Sequence, residues 1–194
     1  MALVRPADTH VRNREVQRTA SRASTGAEDQ RVGIRPEIVG SNADAAVARH
    51  GQYVILLWRR NVVAEGVEWT RNAFARVVRG QPSQKIVFVT IVESACEIAS
   101  SEVRKDVAEL LKIYESQLAC AAIVFEASGF RMTILRSFIT AINMTNRARF
   151  PNAVFGKLDA ALSWVATQRP TASVTADHPA LREITQQLRT LPAS

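Results

Sequence analysis

Apolar and polar positions change spacing along this chain in a repeating order. "YVILLWRR" (53–60) opens with six apolar residues and closes on Arg59 and Arg60. An apolar run of that length, ended by charge, predicts a buried strand. "VVAEGVEWTRNAFARVVRG" (62–80) then sets Val63, Val67, Phe74, Val77 and Val78 near helical spacing. Gly80 follows as a C-terminal stop, with Pro82 just beyond. "KIVFVTIV" (85–92) predicts a second buried strand, dense in β-branched residues.

The alternation continues. "SSEVRKDVAELLKIYESQ" (100–117) places Val103, Val107, Leu110, Leu111 and Tyr114 on one helical face. "LACAAIVFE" (118–126) predicts a third strand, and "RMTILRSFITAINM" (131–144) a helix with Ile134, Phe138, Ala141 and Ile142 inward. "FPNAVF" (150–155) is a short strand or extended turn. "LDAALSWVATQ" (158–168) is the last helix of the domain, ended by Arg169-Pro170. Strands alternating with helices predict an α/β domain with crossover helices on a mainly parallel sheet of about four strands. Strands without polar interruptions agree, since such sheets are covered on both faces.

The flanks lack this pattern. Residues 1–49 are small, charged and poor in large apolar side chains, which predicts a flexible or loosely attached arm. A start placed too far upstream would give the same composition. The domain is expected over 50–169. In the tail, 170–194, Leu181, Ile184, Leu188 and Leu191 form an apolar stripe after Pro179, a residue suited to a helix start. This short amphipathic helix must dock on its own domain, on a twin chain or on a partner.

Composition narrows the function classes. The net charge is +7, carried by scattered arginines and lysines rather than by a basic run with interleaved aromatics. Weak polyanion binding is expected, and specific nucleic-acid recognition is not. No apolar run approaches the roughly 20 residues of a membrane span. The N-terminus has no apolar stretch of the kind a secretory signal carries, so a cytoplasmic location is expected. Cys96 and Cys120 have no metal-ligand spacing. His10, His50 and His178 all fall outside the domain or at its edge, which removes histidine-based nucleophile pairs and most zinc sites within it. Neither a cofactor nor a catalytic residue is expected.

Three stretches carry a family resemblance: "VILLWRRNVVAEGVEW" (54–69), "AAIVFEASGFRMTILRSFI" (121–139) and the ending "AVFGKLDAALSWVA" (153–166). With the order of elements, they resemble the STAS family of sulfate transporter and anti-sigma-factor antagonist domains, in its stand-alone bacterial SpoIIAA-like branch. The resemblance implies a non-enzymatic regulatory module with a protein partner or self-association. It also implies a serine phosphorylated by a kinase within Asp-Ser-Ser-Gly. Glu126-Ala127-Ser128-Gly129 looks like that motif but follows the next strand along. The matching stretch, "VESACEIASSEVRK" (92–105), holds Ser94, Ser100 and Ser101 and lacks the glycine.

The candidate partner or ligand loops therefore hold Arg59, Arg60, Ser94, Ser100, Ser101, Ser128 and Gly129. Each has a structural reading beside the functional one. Ser128-Gly129 is either an anion site at a helix start or an N-cap with a permissive turn residue, and the cap is preferred. Ser94 starts a capping-box pattern with Glu97, and Ser100 offers a second helix start. Arg59 and Arg60 are the best candidates for an anion or carboxylate contact; the bland alternative is two solvated arginines. The alternative function is a small-molecule or lipid site, or a small enzyme, in these same loops.

Overall fold

In the computed structural model, which describes residues 36–80, 82–97, 99–126, 149–168 and 177–192, the sheet begins before the long apolar runs do. β1 (Glu37–Ser41) and β2 (Ala45–His50) precede β3 (Tyr53–Trp58). Then come α1 (Ala64–Gly80), β4 (Ile86–Val92), α2 (Ser101–Ile113), β5 (Leu118–Phe125), β6 (Asn152–Phe155), α3 (Leu158–Thr167) and α4 (Asp177–Thr190). The expected helix over 131–144 lies outside the described residues.

Among the described residues one sheet of six strands results, in the order β1-β2-β3-β4-β5-β6. The first three strands form an antiparallel meander. From β3 to β6 every pair is parallel. The α/β class and the four parallel strands are those expected from the sequence. The arm is corrected: the stretch expected to be loose up to residue 49 contributes two strands, and Ala45, Ala46, Val47 and Ala48 are fully buried.

Local chemistry accounts for both turns. Asn42 Oδ1 accepts from the main-chain N–H groups of Asp44 and Ala45 at 2.9 and 2.8 Å, closing the first turn. Gly51 takes φ +57 in the turn between the paired residues His50 and Tyr53. Primed hairpin turns need that sign of φ, which glycine adopts without steric cost.

Period two sorts the strand residues to two faces. Val54, Leu56, Trp58 and Phe88 join Val67, Phe74 and Val77 of α1 and Leu110 of α2 in one core. There Phe74 meets Phe88 and Tyr114 edge-on, with ring centroids 5.1 and 5.2 Å apart. Ile55, Leu57, Val89, Ile91, Ala122 and Val124 line the opposite face, under Leu162 and Val165 of α3 and Leu181, Ile184 and Leu188 of α4. The alanines of β2 keep this strand thin on both sides. α1 packs on one of its faces and α4 on the other. The amphipathic tail helix thus docks on its own domain.

Candidate functional site at the carboxyl edge of the sheet

Leu57, Ile91, Val124 and Phe155 are register partners across the four parallel strands. Two residues further along each strand stand Arg59, Glu93, Glu126 and Lys157. The ladder continues past the strand ends: Glu93 N–H donates to Trp58 O, and Glu126 N–H to Val92 O, both at 3.0 Å. Strand alternation therefore extends into a row of charges on the α4 side of the edge.

The last turn of α4 meets this row. The Arg59 guanidinium donates to the main-chain carbonyls of Leu188 in the last turn of α4, of Leu191 just past it, and of Asn42 in the first turn. The final carbonyls of a helix have no intrahelical partner, and a cation there also suits the helix dipole. From α4, Arg189 donates to Glu126 Oε1. Its Nε lies 3.5 Å from Glu93 Oε1, an ion-pair distance without hydrogen-bond alignment. Arg59, Glu93 and Glu126, at the ends of three neighbouring strands, all hold one helix end.

The residues next in sequence lie on the other side of the edge. Arg60, Asn61, Ser94, Ala95 and Glu97 are exposed. Glu97 N–H donates to Arg60 O at 2.6 Å, and Cys96 N–H to Glu93 O at 3.0 Å. The first bond joins the loops after β3 and β4 into one rim, and the second closes a turn within the loop after β4. Ser100 and Ser101 are exposed at the same end, where α2 begins. Of the two helix starts read from the sequence, Ser100 is the one used: its Oγ accepts from Val103 N–H at 3.2 Å. Ser128 and Gly129 lie outside the described residues.

A cleft of about 540 Å³ opens between α4 and the carboxyl ends of β5 and β6. Its walls include Glu126, Lys157, Asp159, Arg182, Thr185 and Arg189. Arg182 Nε donates to Asp159 Oδ1 at 2.7 Å. With Arg189 held by Glu126, both arginines of the cleft are already paired within the chain. Among the described residues no group of three or more His, Cys, Asp and Glu side chains gathers to hold a metal ion. Among them, too, no helix is long and apolar enough to cross a membrane.

No protein-family model matches the chain, and no curated protein does. Solved structures similar to it include the following two. One is an uncharacterised protein of the DUF3478 family from Shewanella loihica PV-4, with a SpoIIAA-like fold. It is 17% identical over 69% of this chain and 94% of its own, with a TM-score of 0.44. The other is an anti-sigma factor antagonist from Mycobacterium paratuberculosis, 18% identical over 63% of this chain and 92% of its own, with a TM-score of 0.38.

The structure thus divides the candidate residues. It brings Arg60 and Ser94 together on the exposed rim, and Ser100 and Ser101 at the start of α2. It turns Arg59 inward as a cap for α4. Glu93, Glu126 and Arg189 were missed as a set. The period-two count beyond Ile91 and Val124 points to the two glutamates, while nothing local points to Arg189.

Proposed function

We propose that this chain is a non-enzymatic regulatory module, STAS-like and of bacterial signalling type, that binds a protein partner through the rim of Arg60, Asn61, Ser94, Ala95 and Glu97. The observation that supports this reading is the rim itself. Two loops, tied by the Glu97 N–H to Arg60 O bond, present exposed polar and charged side chains on a fixed base. A surface held this way loses little conformational entropy on binding. A photo-crosslinking residue at Ser94, with a control at the exposed Glu109 of α2, tests it in cells. The reading expects one discrete protein adduct from position 94, none from 109, and loss of the adduct on Arg60→Glu. Equal adducts from both positions, or none from either, overturn it.

The cleft beside α4 favours a second reading, a small-molecule or lipid site. Open α/β sheets bind ligands outside the carboxyl ends of their strands, and this cleft lies there. A thermal-shift screen with nucleotides and lipids separates the readings. A stabilising ligand whose effect is lost on Arg182→Ala would favour the cleft.

A further inference from the structure

α2 is less deeply seated than α1. Leu110 is its single buried residue, against six in α1. Val107, Ala108 and Leu111 are half-buried. On the same side of the sheet, Ile123 of β5 and Val154 of β6 are register partners. Their neighbours Val124 and Phe155 pack on the α3 side, so strand alternation turns Ile123 and Val154 to the α2 side. Both are half-buried, and among the described residues neither joins a core cluster. Ala108, Leu111, Ile123 and Val154 thus make an apolar strip that the described residues leave incompletely covered.

The strand order says which segment belongs there. β5 and β6 are adjacent and parallel, so residues 127–148 carry a crossover between them. Such crossovers are right-handed in about 98% of cases. β3-α1-β4 and β4-α2-β5 step across the sheet in the same direction as β5 to β6, and both carry their helix on the same side. The same hand sends 127–148 over that side, next to α2. The other side is taken, since Leu162 and Val165 of α3 share a core with Ala122 and Val124 there. The returning chain also meets the end of α2. Arg149 N–H donates to Oε1 of Glu115, two residues past that helix, at 2.9 Å.

The length fits. The return path matches β5, eight residues, or about 26 Å in a parallel strand. A helix over 131–144 rises about 21 Å, and residues 127–130 and 145–148 supply the rest. Its stripe of Ile134, Phe138 and Ile142 repeats every four residues, as one face of a helix does.

We propose that residues 131–144 form an amphipathic helix seated on this strip, parallel to α2, with Phe138 over the Ile123-Val154 pair and Ile142 against Leu111. The occupant is the chain's own crossover, not a second copy or an outside protein. The α2 side of β5 and β6 is thereby closed core, and a partner finds no apolar groove there. Strand order and register carry this, independently of the rim reading.

Nuclear Overhauser contacts in the full, unmodified chain test the seat. We expect the Phe138 ring to contact methyls of Ile123 or Val154, and Ile142 to contact Leu111. In a mixture of labelled and unlabelled chains, none of these contacts should run between molecules. Contacts from Phe138 to Leu162 or Val165 instead overturn the proposal, because the crossover then lies on the α3 side. Contacts that run only between molecules overturn it too, because a second copy then fills the strip. So does the absence of any contact at Leu111 and Val154, which leaves the strip to an outside partner. A double-mutant cycle of Leu111→Ala and Ile142→Ala reads the same seat as stability. Their effects on the unfolding constant should fall short of the product of the single effects by about threefold or more. Where the double variant does not fold, Leu111→Val with Ile142→Val takes its place, with a shortfall in the same direction. Strictly independent effects overturn the Ile142–Leu111 contact.

Discussion

The guanidinium of Arg59 donates to the main-chain carbonyl of Leu188, 129 residues further along the chain. This contact ties the end of the first parallel strand to the end of the last helix. It also reaches Asn42 O, so one side chain joins the opening meander, the sheet edge and the tail.

Replacing Arg59 should therefore cost stability at three places at once. Hydrogen bonds to a charged group contribute about 1.5–3 kcal/mol. Arg59→Gln is expected to lower the unfolding free energy by about 2 kcal/mol, read from the shift in a urea midpoint at unchanged slope. Arg59→Lys should recover only part of this, since an ammonium lacks the planar fork that reaches several carbonyls. A neutral Arg59→Gln would show that the cap is a solvated contact of no consequence.

The boundaries of the folding unit follow from the same ties. Leu181, Ile184 and Leu188 are at most 3% exposed. Burying side chains of this size stabilises by roughly 1.5–3 kcal/mol each. Together that is comparable with the whole stability of an ordinary domain, about 5–15 kcal/mol. A chain cut to residues 50–169 loses α4 as well as β1 and β2. It should bind a hydrophobic dye and lack near-ultraviolet dichroism, as loosely packed states do. A chain of residues 36–192 should unfold cooperatively. Cooperative unfolding of the shorter piece would mean that the flanking elements decorate a self-sufficient core.

The parallel half of the fold was legible because Val, Ile, Leu and Phe dominate its strands, and unbroken apolar runs are the strongest strand signal. β2 hid because its buried residues are mostly alanine, which has weak strand preference and reads as a loop or a helix. Its turn chemistry was visible, however. Asn42 and Asp44 flank its start and Gly51 its end. The clamp at the sheet edge was half legible. Arg59 was singled out for its position at a strand end, but its partner is a carbonyl row supplied from the far end of the chain. No local pattern announces such a partner. The amphipathic stripe of α4 was plain, while its docking surface depended on β2, the strand that had not been recognised.

Close approach explains one glycine inside a helix. A Cβ at Gly66 of α1 would overlap the Trp58 indole at Cζ3 and Cη2, and lie 3.1 Å from Ala45 Cβ. Gly66→Ala gains helix propensity of about 1 kcal/mol. The overlap with a buried ring should outweigh that, since overpacking typically costs about 1–3 kcal/mol. Net destabilisation, with a shift in tryptophan emission, is the expected result in a denaturant titration. A stabilised variant would show that the indole yields without strain.

Ser100 tests the cap at the rim. Its hydroxyl satisfies one of the free amides of α2. Ser100→Ala should cost about 1 kcal/mol, and Ser100→Asp should cost little, because aspartate also caps and its charge suits a helix start. Melting curves of the two variants decide the matter. If both lose equally, the hydroxyl has a role beyond capping.

The row of charges gives the last prediction. Glu93 and Glu126 end neighbouring strands, roughly 4.8 Å apart in a sheet, with Arg189 shared between them. Arg189→Ala removes the shared cation and leaves two carboxylates side by side. The side chains are about 30% exposed, so water screens part of the repulsion. A loss of about 1 kcal/mol is expected on that account. Glu126→Gln added to Arg189→Ala should return part of the loss, since one carboxylate no longer faces another. The cost of Arg189→Ala should also shrink at about 1 M salt, where the screening length falls to about 3 Å. A double-mutant cycle from urea titrations at low and high salt measures both effects. If the cost is the same at both salt concentrations and Glu126→Gln restores nothing, packing of the arginine stem rather than charge holds the helix end.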